Sequence, residues 1–397
     1  MARLLICAGG TGGGVNPALA VLQALRENEA QQAKEGGSLS VLWVGGEGGM
    51  EEDLVKRAGV PYKSIPAAGV AGVGVGALPG NLWRLVRGFL ASRHILKEFK
   101  PEAMFFTGGY LAVPVALAGW LPAAGVKRPR SLLYVPDIEP GLALKTLARL
   151  ADHIAISAED SRAYLSQQKR TTVSGYPVRQ DLKTWTPESA RQALGLSAGL
   201  PTLLVSGGSR GARQINRAIM TLLPDLLTSM QVVHVTGKLD WPEVQAAWQN
   251  LLETGAVTGE QASRYHLYPY LYEEMGAAMS AADLAVSRAG ASTLGEFPLF
   301  GLPAVLVPYP YAWRYQRVNA QYLAGRGAAV WLAETGEDLA PRLLAQVREL
   351  VNDPARLQEM RQAMLSLSRP KAAETIGDIL LSLAADAARS GKVQWSA

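Results

Sequence analysis

The alternation of short apolar, β-rich runs with segments of helical length constrains the fold of this chain more than any other feature. Strands that alternate with helices form βαβ units on a parallel sheet. The pattern restarts after residue 200, so we predict an α/β fold of two doubly wound, Rossmann-like domains that face a central cleft. The predicted strands are 3–8, 39–44, 103–106, 131–135, 154–157, 171–174, 201–206, 231–235, 283–287 and 304–308.

Length and composition agree with two domains. The chain has 397 residues, and a domain contains roughly 100–200. Its apolar content of 48% is too high for a disordered chain. We place the N-terminal domain at 1–177 and the C-terminal, nucleotide-binding domain at 178–372, and we expect a C-terminal helix at 373–397 to pack on the N-terminal domain.

Three observations limit the class of protein. Cys7 is the only cysteine, which excludes a disulfide framework and a thiolate metal cluster, and no secretory signal is visible, so we expect a reducing, cytoplasmic compartment. The net charge of +5 does not predict a nucleic-acid partner. Residues 103–126 are uncharged and long enough to span a bilayer, but glycines and prolines interrupt them, so we predict a strand, a glycine turn and a helix there.

A glycine-rich loop, 9–14, follows the first predicted strand. We expect Asn16 to cap the next helix, with Pro17 as its first residue. The N–H groups at such a helix N-terminus bind a phosphate or a developing oxyanion. Val15 stands where a dinucleotide fingerprint needs glycine, and no Gly-Lys-Ser/Thr follows for a P-loop. We expect neither NAD nor another cofactor, and an ordinary tight turn stays an alternative.

Three more loops occupy equivalent places after strands: 107–110, 207–213 and 288–293. Ligands of doubly wound sheets bind beyond the carboxyl ends of the strands, so we expect all four loops to line the cleft. Glu296 can accept two ribose hydroxyls, or it is only a carboxylate favoured at a helix start. Gln316 and Asn319 share a helix face and suit sugar hydroxyls, or they belong to a solvated surface.

Residues 81–100 predict an amphipathic helix with a wide apolar face and several cations. Such a helix suits docking to an anionic membrane surface, although a core helix has a similar pattern. The glycine-rich segment 62–80 before it is predicted to be a loop. The candidate docking residues are Leu82, Trp83, Val86, Phe89 and Leu90.

Together, the segments 9–20, 108–110, 207–213 and 290–296 resemble the MurG-type family of inverting GT-B glycosyltransferases. The resemblance extends from about residue 4 to residue 327. It implies that the second domain binds UDP-N-acetylglucosamine (UDP-GlcNAc). The acceptor it implies is lipid I, undecaprenyl-diphospho-N-acetylmuramoyl-pentapeptide, which would become lipid II in peptidoglycan synthesis. A peripheral position on the anionic inner face of the cell membrane is implied as well.

The resemblance also implies roles for individual residues. Ser209 would meet the donor diphosphate, Arg179 the nucleotide, Glu296 the ribose, and Gln316 and Asn319 the donor sugar. On the acceptor side, the first loop and Tyr110 would face the diphosphate and the reaction centre. The full set is Thr11, Gly12, Gly13, Gly14, Gly108, Gly109 and Tyr110 for the acceptor, and Arg179, Ser209, Arg210, Tyr272, Ser292, Glu296, Gln316 and Asn319 for UDP-GlcNAc.

The general base is not given by the motifs. Gly14 stands where the family carries a histidine, and 134–137 reads Tyr-Val-Pro-Asp where the family has His-Glu-Gln-Asn. We take Asp137 as the first candidate base and Glu139 as the second, the alternative being a loop cap before a helix at 142–150. No Asp-x-Asp motif stands at a suitable strand end, so loop N–H groups, Ser209 and arginines are expected to stabilise departing UDP without a metal.

Three alternatives stay open on the sequence. A related transferase could use another lipid or a metabolite as acceptor. An isomerase resembling UDP-GlcNAc 2-epimerase would share the fold and the donor but would turn over without an acceptor. A protein that binds the donor without catalysis is the third, because Gly14 has no side chain.

Overall fold

The computed structural model describes residues 2–9, 12–32, 39–49, 51–68, 78–122, 124–208, 211–310, 315–334 and 339–390. By its internal contacts the chain divides into two compact units. Unit 1 comprises Met1–Arg179 together with Pro370–Ala397, and unit 2 comprises Gln180–Arg369.

Unit 1 is a parallel seven-stranded sheet with helical connections. Its strand order is β3-β2-β1-β4-β5-β6-β7. Chain order therefore reverses at β1, which lies between β2 and β4. The elements are β1 Ala2–Cys7, α1 Gly12–Gln32, β2 Leu39–Gly46, α2 Glu51–Arg57, β3 Tyr62–Ile65, α3 Leu78–Phe99, β4 Ala103–Phe106, α4 Ala112–Trp120, β5 Arg130–Val135, α5 Leu142–Leu150, β6 His153–Ile156 and β7 Thr171–Val173.

Unit 2 repeats this architecture with six parallel strands. Their order is β10-β9-β8-β11-β12-β13, so the reversal falls between β8 and β11. The elements are α6 Pro187–Ala193, β8 Thr202–Ser206, α7 Arg213–Leu226, β9 Gln231–Val235, α8 Trp241–Glu253, α9 Gly259–Ala262, β10 Tyr265–Tyr268, α10 Glu274–Ala281, β11 Leu284–Ser287, α11 Glu296–Phe300, β12 Ala304–Leu306, α12 Tyr315–Ala324, β13 Ala329–Trp331, α13 Leu339–Val351 and α14 Pro354–Ser366.

The last helix, α15 (Ala372–Ser390), belongs to unit 1. It packs against α1 and against β1, β4 and β5. An added Cβ at Gly377 would lie 3.3 Å from Cδ2 of Leu25 on α1, so the two helices approach closely. The end of the chain thus covers part of the sheet with which the chain begins.

Burial on both faces explains why the central strands were predictable. Leu4, Leu5, Ile6 and Cys7 of β1 are all fully buried, as expected where helices cover both faces of a parallel sheet. The predicted α/β fold of two Rossmann-like domains is confirmed. Residues 103–126 form β4 and α4, as predicted, and no helix among the described residues is long and apolar enough to cross a bilayer.

Three strands were missed: β3, β10 and β13. Each lies at a sheet edge, where a strand has one neighbour, and each is short and only partly buried. The prediction of a loop over 62–80 is therefore wrong at β3, and also at 78–80, where α3 has already begun; residues 69–77 lie outside the described residues.

Candidate functional site

The first glycine loop joins β1 to the N-terminus of α1. This helix begins at Gly12, so the prediction of Asn16 as its cap and Pro17 as its first residue is wrong. Both residues lie in the second turn, where Pro17 removes one helical hydrogen bond to the carbonyl four residues earlier. Gly12, Gly13 and Gly14 form the first turn, and Thr11 lies outside the described residues.

The first turn of α1 presents backbone donors. The first N–H groups of a helix have no carbonyl partner within it, and the helix dipole adds positive potential at the same end. The carbonyl of Ala8, the first residue after β1, accepts a hydrogen bond from the buried indole of Trp43 at 3.0 Å. The loop therefore leaves a fixed strand end and delivers donors suited to an anion.

Glu51, the first residue of α2, supports the same loop and was missed by sequence analysis. Its carboxylate is 1% exposed and accepts a hydrogen bond from the N–H of Gly46 at 2.8 Å. An added Cβ at Gly9 would lie only 2.4 Å from its Oε1, so a larger residue at position 9 would displace this carboxylate. A single carboxylate in an acidic first turn is too common to have been singled out from the sequence.

The predicted loop 107–110 follows β4. This strand is the neighbour of β1 across the point of chain reversal. Gly108 and Gly109 have φ values of +107° and +84°, which bend the chain sharply between β4 and α4. Tyr110 follows them and is exposed. In doubly wound sheets, ligands bind outside the carboxyl ends of the two strands where chain order reverses. In unit 1 both strands carry a predicted acceptor loop there.

The two candidate bases differ in environment. Glu139 is 4% exposed, and its Oε1 accepts a hydrogen bond from Nζ of Lys145 at 3.2 Å, which suits an ion pair that holds the loop to α5. Asp137 is half-buried at the same strand end. Asp137 is therefore the more accessible of the two carboxylates.

Tyr134, next to these carboxylates on β5, is fully buried. Burial raises the pKa of its hydroxyl well above the usual value, and the hydroxyl hydrogen-bonds to Oγ of Ser157 at 2.7 Å. Its ring meets the ring of Tyr176 edge to face, with centroids 6.3 Å apart. The residue is a neutral packing element of the sheet.

The predicted loop 207–213 lies in unit 2 and joins β8 to α7. Ser209 and Arg210 lie outside the described residues. Gly211 has φ +79°, and an added Cβ there would lie 2.4 Å from the carbonyl oxygen of Thr236, so only glycine fits. Arg213 begins α7 and donates from Nε to Oδ1 of Asp240 at 3.1 Å. The loop thus rests on the segment that follows β9.

A buried polar network continues from this contact. Asn216 donates from Nδ2 to Oδ2 of Asp240 and to the carbonyl of Thr236, at 3.1 and 2.9 Å. Its Oδ1 must then accept from Nε2 of His234, 3.0 Å away, so Nδ1 of His234 accepts from the hydroxyl of Tyr265 at 2.8 Å. Desolvation lowers the pKa of His234 to about 3, so the ring is neutral. Sequence analysis did not identify this network.

The fourth loop follows β11, the neighbour of β8. Asn319 on α12 is fully buried and donates from Nδ2 to the carbonyl of Ala289 at 3.1 Å, and Gln316 accepts from the N–H of Tyr309 at 2.9 Å. Both amides hold backbone in place. The buried side chain of Asn319 thus supports the loop, and contact of Asn319 and Gln316 with a donor sugar stays a prediction. Ser292 and Glu296 are half-buried at the same strand end.

Arg288 anchors this edge and was not among the predicted site residues. It forms a buried ion pair with Glu334 and donates to the carbonyl of Val307 at 3.1 Å. Its guanidinium also lies over the ring of Tyr309, 5.3 Å from the centroid. Only the fold brings these segments together, so no local pattern could have paired them.

Tyr272 belongs to a small aromatic cluster beyond β9 and β10. Its ring lies 4.6 Å from that of Tyr270, and Nζ of Lys238 lies 5.6 to 5.7 Å from both ring centroids. Tyr272 is 51% exposed. Arg179, predicted to meet the nucleotide, is half-buried at the last position of unit 1.

The predicted amphipathic helix is α3. Leu82, Trp83, Val86 and Leu90 are exposed, Trp83 by 63%. Phe89 is partly buried and packs against the core of unit 1, and its place on a docking surface stays a prediction. A helix that connects parallel strands begins at their carboxyl edge. The exposed N-terminal half of α3 therefore lies on the side of the sheet that carries the glycine loops.

Two Rossmann-like units, each with glycine loops at its point of chain reversal, define a GT-B type of protein. Within the described ranges, no three His, Cys, Asp or Glu side chains are placed to hold a metal ion. The chain belongs to glycosyltransferase family 28: the model of the family's N-terminal domain matches residues 4–156, and that of its C-terminal domain matches residues 202–376.

Individual relatives extend over nearly the whole chain. A protein of Roseiflexus sp. (strain RS-1), named UDP-N-acetylglucosamine–N-acetylmuramyl-(pentapeptide) pyrophosphoryl-undecaprenol N-acetylglucosamine transferase, is 41% identical over 96% of this chain and 95% of its own length. One of the same name from Desulforudis audaxviator is 35% identical over 98% of this chain and all of its own. The crystal structure of Acinetobacter baumannii MurG matches with a TM-score of 0.71 at 25% identity, covering 96% of this chain and 100% of that chain.

Proposed function

We propose that this glycosyltransferase moves N-acetylglucosamine from UDP-GlcNAc to lipid I, with inversion at the anomeric carbon. The observation that carries the proposal is the pair of glycine-loop edges, one at the reversal point of each sheet. A reaction between a nucleoside diphosphate sugar and a lipid diphosphate needs two such edges. The names of relatives at 35–41% identity support the same pair of substrates.

Unit 2 is assigned to the donor. The loop before α7 offers backbone N–H groups, with the predicted Ser209 and Arg210, to the diphosphate. Glu296 would accept the ribose hydroxyls, and Tyr272 offers an exposed ring to the base. Gln316 would meet the sugar, while Asn319 holds the carbonyl of Ala289 and so positions the loop.

Unit 1 is assigned to the acceptor and to proton transfer. The N-terminus of α1 would bind the lipid diphosphate, with Gly109 and Tyr110 on the neighbouring loop. Asp137 would take the proton from the acceptor hydroxyl as it attacks the anomeric carbon. The negative charge that develops on UDP would be stabilised by the N-terminus of α7 and its preceding loop, with no step assigned to a metal.

The exposed face of α3 is assigned to docking on the anionic inner leaflet. Trp83 and three aliphatic side chains supply apolar area, and the exposed Arg84 and Arg87 supply charge. Each such cation is worth about 1 kcal/mol near an anionic surface. Docking on this side of unit 1 would bring the acceptor loops close to a lipid headgroup.

UDP release tests the function directly. We expect release from UDP-GlcNAc that depends on lipid I and yields a β-linked disaccharide product. If lipid I does not stimulate UDP release but another lipid does, that other lipid is the acceptor. Conversion of UDP-GlcNAc to its C2 epimer without an acceptor would make the protein an isomerase. Donor binding without turnover under every condition would exclude catalysis.

A further inference from the structure

Asp240 lies at the N-cap position of α8 but does not cap that helix. A carboxylate at this position ordinarily accepts a hydrogen bond from an N–H of the first turn. In α8, all of which the structure describes, no N–H donates to the Asp240 side chain. The carboxylate interacts with a different helix instead.

Both carboxylate oxygens of Asp240 meet the first turn of α7. Oδ1 accepts a hydrogen bond from Nε of Arg213, and Oδ2 accepts one from Nδ2 of Asn216, each at 3.1 Å. Arg213 is the first residue of α7 and Asn216 is the fourth. One side chain therefore holds the N-terminus of α7 at two points.

The backbone just before this turn also packs on the carboxylate. An added Cβ at Gly211 would lie 3.0 Å from Oδ2 of Asp240 and 2.4 Å from the carbonyl oxygen of Thr236. Asp240 is 4% exposed and Asn216 is 1% exposed. The start of α7 is therefore placed by buried contacts with the segment that follows β9.

A carboxylate is a costly choice for a residue with no role beyond α8. Burying its charge lowers stability unless an ion pair and hydrogen bonds compensate for the loss of water. A serine at the same position could cap α8 without that cost. The two acceptor oxygens of Asp240 match the two donors that α7 presents, so its use lies in that helix.

We propose that Asp240 is a positioning residue for the donor. It fixes the N-terminus of α7 so that the backbone N–H groups of the first turn meet the diphosphate of UDP-GlcNAc. Asp240 does not touch the ligand itself. The inference rests on the proposed function for the identity of the donor, and none of the glycine motifs had indicated Asp240.

The direction of the effect separates positioning from charge. Asp240→Asn removes a negative charge beside a helix N-terminus, so Coulomb attraction alone would strengthen the binding of an anion there. The variant also turns one acceptor into an amide donor that faces Arg213 or Asn216, so loss of positioning weakens binding. With UDP as the probe, we expect calorimetry to show binding about tenfold weaker. The factor should be similar at low and at high salt, because screening changes only the Coulomb part.

Asp283 offers a matched control in the same unit. Its Oδ2 accepts hydrogen bonds from the N–H of Thr202 at 2.9 Å and from Nη2 of Arg191 at 3.3 Å. Thr202 begins β8, so this carboxylate anchors the opposite edge of the sheet. Asp283→Asn should lower the melting temperature, as Asp240→Asn does, but bind UDP within about twofold of the unchanged protein.

Transfer kinetics give a second reading. Asp240→Asn should raise the KM for UDP-GlcNAc by the factor seen in UDP binding and leave the KM for lipid I unchanged. If Asp240→Asn does not fold, Asp240→Ser takes its place, because the serine hydroxyl can cap α8 while both contacts with α7 are lost. The same expectations apply to it.

Three results would overturn the inference. Binding of UDP that is unchanged or tighter in Asp240→Asn removes the positioning role. An equal loss of UDP binding in Asp283→Asn makes the effect one of general stability. A parallel rise in the KM for lipid I shows that the change is not confined to the donor. Normal UDP binding by the unchanged protein without transfer to lipid I would instead count against the proposed function alone.

Discussion

The side-chain amide of Asn319 donates a hydrogen bond to the carbonyl oxygen of Ala289 at 3.1 Å, in a fully buried position. This contact ties α12 to the loop that follows β11, thirty residues earlier in the chain. The loop carries Ser292 and leads to Glu296. A side chain predicted to touch the donor sugar therefore holds the backbone of the loop that carries the predicted donor-site residues.

Replacing that amide tests the positioning role. Asn319→Leu leaves the carbonyl of Ala289 buried without its donor, so we expect a loss of about 1–3 kcal/mol in the free energy of unfolding. The displaced loop should also raise the KM for UDP-GlcNAc about tenfold, with a smaller effect on kcat. Gln321→Leu, on the exposed part of the same helix, is the control and should change neither quantity. An unchanged KM in the Asn319 variant would contradict the positioning role.

Asp137 should be required for turnover. Asp137→Asn keeps the size of the side chain but removes its basicity, so kcat should fall by about 10²–10⁴ while the KM for UDP-GlcNAc stays close to its normal value. Steady-state UDP release with saturating lipid I measures this. Glu139→Gln is the comparison. It weakens the ion pair with Lys145, so the free energy of unfolding should fall while kcat falls less than in Asp137→Asn. Full turnover by Asp137→Asn would remove Asp137 as the base.

Membrane docking should depend on the exposed end of α3. Trp83→Ser removes a large apolar side chain from the surface, and burial of such a side chain is worth about 1.5–3 kcal/mol, so binding to anionic vesicles should fall about tenfold or more. Co-sedimentation with phosphatidylglycerol vesicles provides the measurement. Leu239→Ser alters a comparably exposed side chain in unit 2, 66% exposed against 63% for Trp83, and should bind normally. Equal loss in both variants would point to general hydrophobicity.

The buried His234 predicts an acid-sensitive unit 2. Its pKa is about 3 in the folded protein, whereas an unperturbed histidine, as in the unfolded chain, has a pKa of 6.5. As the pH falls below 6.5, the unfolded chain therefore binds a proton that the folded protein does not. Stability is therefore lost on acidification, by about 2 kcal/mol between pH 7 and pH 5 from this residue alone. Above pH 7 the His234 ring is neutral in both the folded and the unfolded protein, so it causes no pH dependence of stability there.

Urea unfolding at the two pH values measures this effect. His234→Gln should be less stable than the unchanged protein at pH 7, because the hydrogen bonds to Asn216 and Tyr265 are disturbed. Its further loss at pH 5 should be smaller by about 2 kcal/mol. An identical pH dependence in both proteins would mean that His234 gains its proton without unfolding.

Sequence patterns located the loops but not their supports. Gly108 and Gly109 were identifiable because few residues adopt positive φ after a strand. Arg288 and Glu334 were not, because their ion pair joins segments 46 residues apart that only the sheet brings together. Phe89 shows the same limit: α3 was predicted, but which apolar side chains face the core depends on what packs against the helix.

The sequence by itself determined the two doubly wound domains, the central strands and the positions of the glycine loops. These follow from local properties, namely runs of apolar side chains, their spacing, and residues that permit sharp turns. Only the tertiary structure decided that α1 begins at Gly12, that Glu139 is held by Lys145, and that Asn216 and His234 form one network. Those outcomes depend on distances between segments remote in the chain, and a pattern read along the chain contains no such distances.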